Sequence, residues 1–310
     1  VTTIVITHPI CIEHDPGDYH PERPDRLRAV LAALKGKGFE ALAWREAPRA
    51  ERAQIERVHD ENYVDQILTS VPKRGHLHLD PDTAMSPASG EAALRAAGAA
   101  AAAVDAVMAG EADNAFCAVR PPGHHAENSQ AMGFCLFNNV AVAALQARAV
   151  HGLQRIAVVD FDVHHGNGTQ HSFERDPDLF YGSSHQWPAY PGTGLADETG
   201  VADNVANVPL NPGAGSVEFR AGYRTTILPA LRRFRPEFLV VSAGFDAHAR
   251  DPLAEIRLGA DDYAWVTHEL LAVAEECAKG RAISCLEGGY DLEALAESAA
   301  AHVREMMKAA

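Results

Sequence analysis

Short apolar runs with little polar alternation recur along the chain: TIVIT (3–7), AFCAV (115–119), RIAVVDF (155–161), LFYGS (179–183), VANVPL (205–210), FLVVSA (238–243) and AISCLE (282–287). A strand covered on both faces has no polar face, so such runs predict buried parallel strands. Between them lie stretches with helical periodicity at 23–38, 89–110, 138–150, 216–234, 261–280 and 292–309. Pro24 stands near the first turn of the first stretch and glycine follows its end, as helix termini favour. The Ala-rich stretch 89–110 combines high helix propensity with side chains small enough for close packing. Strand and helix alternate throughout. That order predicts an α/β fold, a three-layer α/β/α sandwich around a mainly parallel central sheet. No repeat and no linker rich in Pro, Gly and Ser interrupts the pattern, so residues 1–310 are expected to form a single domain. The loops at 8–22, 72–88 and 184–204 are long and rich in Pro, Gly, His and aromatic residues, the kind of loop that carries function.

Four of the predicted strands run into polar chemistry at their carboxyl ends. AFCAV continues into Arg120-Pro-Pro-Gly-His124-His125, and RIAVVDF includes Asp160 and leads to Asp162, His164 and His165. FLVVSA leads to Asp246 and His248, and AISCLE to Gly288, Gly289, Tyr290 and Asp291. Open parallel sheets bind ligands at that edge. Residues two apart on a strand share a face, so Asp160, Asp162 and His164 point one way. Buried carboxylates are costly unless paired or bound to a cation. Asp162 and His164, with Asp246 from another strand, make an O,N,O donor set suited to Zn²⁺, with Fe²⁺, Co²⁺ or Mn²⁺ as further options. The other reading, strand-end carboxylates capping helices, fits one aspartate better than this spaced set.

His124 and His125 follow a Pro-Pro-Gly turn, and histidine suits proton transfer near neutral pH. Asp160 can orient one of them and Asn167 the other. Tyr290, after two glycines, can donate to a developing oxyanion. Taken alone, each is equally at home in an ordinary surface loop.

Composition narrows the partners. At 47% hydrophobic and 22% charged residues the chain reads as a globular protein with a sizeable core. A net charge of −15 argues against nucleic acid and anionic membranes, and no apolar run is long enough to span a bilayer. The five cysteines contain no CxxC pair and sit mostly in apolar runs. They read as reduced thiols, and the expected location is cytoplasmic. No signal-peptide pattern opens the sequence. An oligomer is compatible with this composition.

HPERPDRL, RPPGHHA, GFCLFNN, DFDVHHGNGTQ, YPGTG, SAGFDAH and EGGYD occur in that order between about residues 8 and 291. Together they resemble the histone deacetylase family within the arginase–deacetylase fold. Asn167 and the EGGY form resemble the class II branch and its bacterial amidohydrolase relatives. The resemblance implies that Asp162, His164 and Asp246 hold zinc. It implies that His124 is backed by Asp160, that His125, backed by Asn167, is the general base and acid, and that Tyr290 polarises the acyl carbonyl. Gly133, Phe134 and Tyr190 match the acyl-lysine channel, Asp82 a rim aspartate, and Arg23 the arginine of an internal tunnel. Relatives specialised for polyamines carry a gatekeeper glutamate where this chain has Leu253, which favours a lysine-like or broader substrate.

The family also binds structural potassium. The resemblance implies one site at Asp160, Asp162, His164, Ser183 and Ser184, and a second at Phe173, Asp176, Leu179 and Asn204. Asn204 departs from the aromatic residue usual there. His165 receives no catalytic role. The activity implied is removal of acetyl or short acyl groups from lysine-like amines, in a peptide or a small molecule. An acetylpolyamine or other small acylated amine is the neighbouring choice. Two rivals remain: a two-metal ureohydrolase of the same fold, for which the chain offers too few carboxylates, and a non-catalytic acyl-ligand sensor.

Overall fold

The computed structural model describes residues 1–308, and each apolar run forms a strand within it. The strands are β1 (Thr3–Thr7), β2 (Ala43–Glu46), β3 (Leu77–His78), β4 (Ala84–Met85), β5 (Asn114–Cys117), β6 (Ile156–Asp160), β7 (Leu179–Gln186), β8 (Val205–Leu210), β9 (Phe238–Ala243) and β10 (Ala282–Leu286). Eight of them make one sheet in the order β2-β1-β5-β10-β9-β6-β7-β8. Every neighbouring pair in it is parallel. The short pair β3–β4 is antiparallel and stands apart. β5, β10, β9, β6 and β7 are buried along their whole length, as their unbroken apolar character requires.

Helices complete three layers. Ser89–Met108 packs on Asn139–His151, while Ala260–Ala278 packs on Leu292–Met306, which in turn meets Pro24–Leu34. The last helix was expected over 292–309; position 309 lies outside the described residues. The helical stretch at 216–234 is divided into Ser216–Gly222, a π turn at Tyr223–Ile227 and Leu228–Phe234. Pro229 explains the break, because its ring clashes with the carbonyl four residues back, inside the wide turn. β2 was not legible as a strand: it is a four-residue edge strand, exposed throughout. No helix among the described residues is long and apolar enough to cross a membrane.

Topology positions the site. The four strands that run into polar chemistry, β5, β10, β9 and β6, are consecutive in the sheet. Their ends are level: Cys117 pairs with Cys285, Leu286 with Ala243, and Ser242 with Asp160. Groups far apart in sequence therefore emerge side by side along one edge.

Candidate active site

Asp162, His164 and Asp246 meet just beyond β6 and β9. Their ligand atoms lie within 4.8 Å of one another, the only such cluster found among the described residues. His164 Nδ1 is 3.2 Å from both Asp162 Oδ1 and Asp246 Oδ2. Both carboxylates are buried. Backbone N–H groups take their other lone pairs: Gly288 N donates to Asp162 Oδ2 at 2.9 Å, and Val163 N to Asp246 Oδ1 at 2.8 Å. Burial and the neighbouring Asp162 charge push the Asp246 carboxyl up to about 6. Burial opposes charge on His164, but hydrogen bonds to the two carboxylates prevail and hold it at about 10. Two converging carboxylates and an imidazole nitrogen suit a divalent cation. Gly288 leaves the room, because a Cβ there would enter both carboxylates.

The two adjacent histidines are driven to opposite states. His124 Nδ1 lies 2.9 Å from Asp160 Oδ2, which also accepts from Tyr181 Oη at 3.1 Å. Burial disfavours its charge, yet Asp160 and Asp162 outweigh that and hold His124 at about 10. Burial drives His125 well below the ordinary value, and the charges of His124 and His164 drive it further. His125 Nδ1 is 2.8 Å from Asn167 Oδ1, and Asn167 Nδ2 donates to Glu127 at 2.5 Å. Asn167 thus presents its acceptor to His125, so His125 carries its proton on Nδ1 and leaves Nε2 free. One histidine is charged and the other neutral at pH 7, the separation from which acid and base roles are built.

A cavity of about 230 Å³ opens onto His125 and His164. Its other lining residues are Tyr290, the channel residues Gly133, Phe134 and Tyr190, the rim residue Asp82 and Leu253. Tyr190 stands edge-on to the His125 ring at 5.2 Å, and Phe134 edge-on to Tyr290 at 5.9 Å. Gly133 has φ +56° and no room for a Cβ, which would enter the His125 ring. Phe134 follows at φ +70°, a strained conformation for a residue with a side chain. Asp82 Oδ1 accepts from Gly133 N at 3.1 Å and Thr83 Oγ1 from Phe134 N at 3.0 Å, which holds the strained pair. A larger hollow of about 410 Å³ lies at the opposite edge of the sheet and contains none of these groups.

Two expectations need correction. Arg23 is not the interior arginine: its side chain is 49% exposed beside Asp25. It is the N-cap residue of the helix Pro24–Leu34, and the inward face begins one turn later. Arg26 occupies the interior, with its guanidinium 4.8 Å from the centre of the Tyr290 ring. The second potassium site is also not preserved. Asn204 Nδ2 donates to the carbonyls of Phe173, Asp176 and Leu179 at 3.1, 3.0 and 2.8 Å. The carbonyls expected to face a cation face this amide instead.

Other groups escaped the sequence reading. Glu287 accepts from the backbone N–H groups of Gly123 and His124 and so fixes the histidine turn. Glu22 forms buried ion pairs with Arg26 and Arg120. His165 accepts from Thr193 Oγ1 at 2.7 Å and donates to Gln170 Oε1 at 2.8 Å. It ties the segment carrying Tyr190 to the helix Asn167–Phe173. Its signal was present, an imidazole directly after a metal-ligand position, but its partner is 28 residues away.

The family model for the histone deacetylase domain matches residues 20–306. The chain is 43% identical to a histone deacetylase-like amidohydrolase of Pseudomonas aeruginosa, over 87% of this chain and 72% of that one. It is 38% identical to a polyamine deacetylase of Homo sapiens, over 94% of this chain and 45% of that one. The crystal structure of the HDA15 HD domain superposes with a TM-score of 0.92 at 36% identity, covering 98% of this chain and 88% of that one.

Proposed function

The chain belongs to the histone deacetylase family and is an amide hydrolase, and we propose that it removes acetyl or short acyl groups from lysine-like amines with one zinc ion. The observation that carries the reading is the convergence of neutral His125, Tyr290 and the Asp162–His164–Asp246 set at the foot of one cavity. Zinc held there would polarise the acyl carbonyl and acidify a water molecule.

The chain's own groups do the rest. His125 Nε2 accepts a proton from the attacking water, since Asn167 holds Nδ1. Burial keeps the Tyr290 phenol protonated far beyond neutral pH, so it donates a hydrogen bond as charge builds on the acyl oxygen. His125 then passes its proton to the leaving nitrogen, because a bare amide anion is too poor a leaving group. Acetate and a free amine result. Charged His124 keeps its proton on Nδ1 toward Asp160 and supplies fixed positive charge. The walls of Phe134 and Tyr190 suit the alkyl stem of lysine, and Asp82 at the rim suits a cationic or amide-bearing substrate.

The first potassium position also forms part of this reading. Among the described residues no donor reaches the backbone carbonyls of Asp162 and His164, which supports a cation beside Asp160, Asp162, His164, Ser183 and Ser184. One continuous core under the site supports treating the chain as one catalytic domain. The single three-residue cluster supports one metal over the two of a ureohydrolase, and the complete set of proton-transfer groups supports an enzyme over a sensor.

An acetylpolyamine is the second reading, supported by the similarity to a polyamine deacetylase. Leu253 at the cavity wall offers no charge for a distal ammonium and favours lysine. Matched kcat/KM values for an acetyl-lysine peptide and acetylspermidine decide between them. The peptide should lead by at least about tenfold, a difference of 1.4 kcal/mol. A lead for acetylspermidine would reverse the assignment.

A further inference from the structure

We infer that Asp251 is a positioning residue that couples the cavity wall at Leu253 to the phenol of Tyr290; the inference rests on the amide-hydrolase reading above. Its two carboxylate oxygens serve different loops. Oδ1 accepts from Leu253 N at 3.0 Å, closing a local turn across Pro252. Oδ2 accepts from Tyr290 N at 2.7 Å, 39 residues away. Asp251 is buried, so its oxygens rely on these N–H groups in place of water.

The loop after β10 shows why that bond matters. Two glycines precede Tyr290, and Gly289 has φ +121°, so the backbone there has little stiffness of its own. Three anchors fix the peptides before Tyr290. Arg26 donates to Glu287 O and Gly289 O, both at 2.5 Å. Gly288 N donates to Asp162, and Phe245 N to Gly288 O at 3.0 Å. Among the described residues, only Asp251 accepts from Tyr290 N. The Tyr290 side chain has no hydrogen-bond partner among the described residues and lines the cavity. Arg26 and Phe134 pack on its ring, and the backbone sets where that ring starts. An oxyanion donor must sit within a few tenths of an ångström of its target, and Asp251 supplies the backbone part of that constraint.

The test compares wild type, Asp251→Asn, Tyr290→Phe and the double variant on an acetyl-lysine peptide, with zinc content and Tm measured for each. An amide at 251 keeps one acceptor and loses the other. In the wild-type background D251N should lower kcat by about tenfold, part of the roughly hundredfold loss expected for removing the donor itself. In the Y290F background the kcat loss from D251N should fall below about twofold, because the phenol through which it acts is gone. A KM change arising at Leu253 should persist there. Zinc should remain at one equivalent. Asp251→Ser, which offers a smaller single acceptor, serves if D251N does not fold, with the same expectation. Multiplicative kcat losses, loss of zinc, or wild-type kcat in D251N or D251S would each overturn the inference. A wild-type protein that binds zinc but turns over no acylated amine would instead overturn the functional reading.

Discussion

His125 Nδ1 and Asn167 Oδ1 lie 2.8 Å apart, and this contact decides which imidazole nitrogen faces the cavity. Asn167→Ala removes the acceptor and frees the other tautomer. We expect kcat to fall between about tenfold and a hundredfold with KM little changed, part of what a general base contributes. Steady-state kinetics on one acyl-lysine peptide checks it, and an unchanged kcat would place the base elsewhere.

Metal uptake should expel protons. His164 is held at about 10 by its carboxylate partners in the metal-free protein, so it is charged at pH 8 and must lose its proton to become a ligand. Calorimetry of zinc binding in two buffers of different ionisation enthalpy should report about one proton released from this residue at pH 8. Asp246, raised to about 6, is protonated at pH 5 and adds a second. Zinc affinity should therefore fall as pH falls, and more steeply below about 6. Affinity independent of pH would contradict this donor set.

Asn204→Ala removes the amide that the carbonyls of Phe173, Asp176 and Leu179 now share. The Phe173 and Asp176 carbonyls keep the N–H groups of Asp176 and Leu179, so the main cost is the Leu179 carbonyl left unsatisfied, roughly 1–3 kcal/mol, and Tm should drop by a few degrees. The variant should also open a cage of oxygens sized for a monovalent cation. Its Tm should recover in potassium chloride more than in the same concentration of a tetraalkylammonium salt, while wild type shows a smaller difference. Equal responses would mean that the amide does not stand in for an ion.

His302 gives the acid limb of stability. It lies among Phe116, Phe161 and Phe245, between the hydroxyls of Thr267 and Ser284. Burial pulls its pKa down to about 3. Between about 6.5 and 3 the unfolded chain takes up a proton that the folded chain refuses. The contribution is thus complete above 6.5 and is lost as pH falls, by about 1.4 kcal/mol per pH unit. His302→Gln should flatten the fall of stability across that window in urea titrations from pH 7 to 4. An unchanged slope would show that other groups carry it.

The strands and the Asp162–His164–Asp246 cluster were legible because each leaves a local trace. A strand covered on both faces has no polar alternation, and Asp162 and His164 announce themselves by standing two apart at the end of such a run. β2 left no trace because an exposed edge strand needs no apolar run. Arg23 caps the helix and Arg26 lies within it, and one turn separates a solvated charge from one beside Tyr290. Asp251 and Glu22 left no trace because Tyr290 and Arg120, which they hold, lie 39 and 98 residues away. Asn204 was recognisable as a departure from the family pattern, but only the positions of three carbonyls show what its amide serves.

Acetate release during zinc reconstitution tests the central claim most directly. Metal-free protein, incubated with an acetyl-lysine peptide and given increasing zinc, should release acetate at a rate that rises linearly and breaks at one equivalent per chain. Asp246→Asn should remove the break and the activity together. Full acetate release without metal, or a break at two equivalents, would contradict a one-metal amide hydrolase built on Asp162, His164 and Asp246.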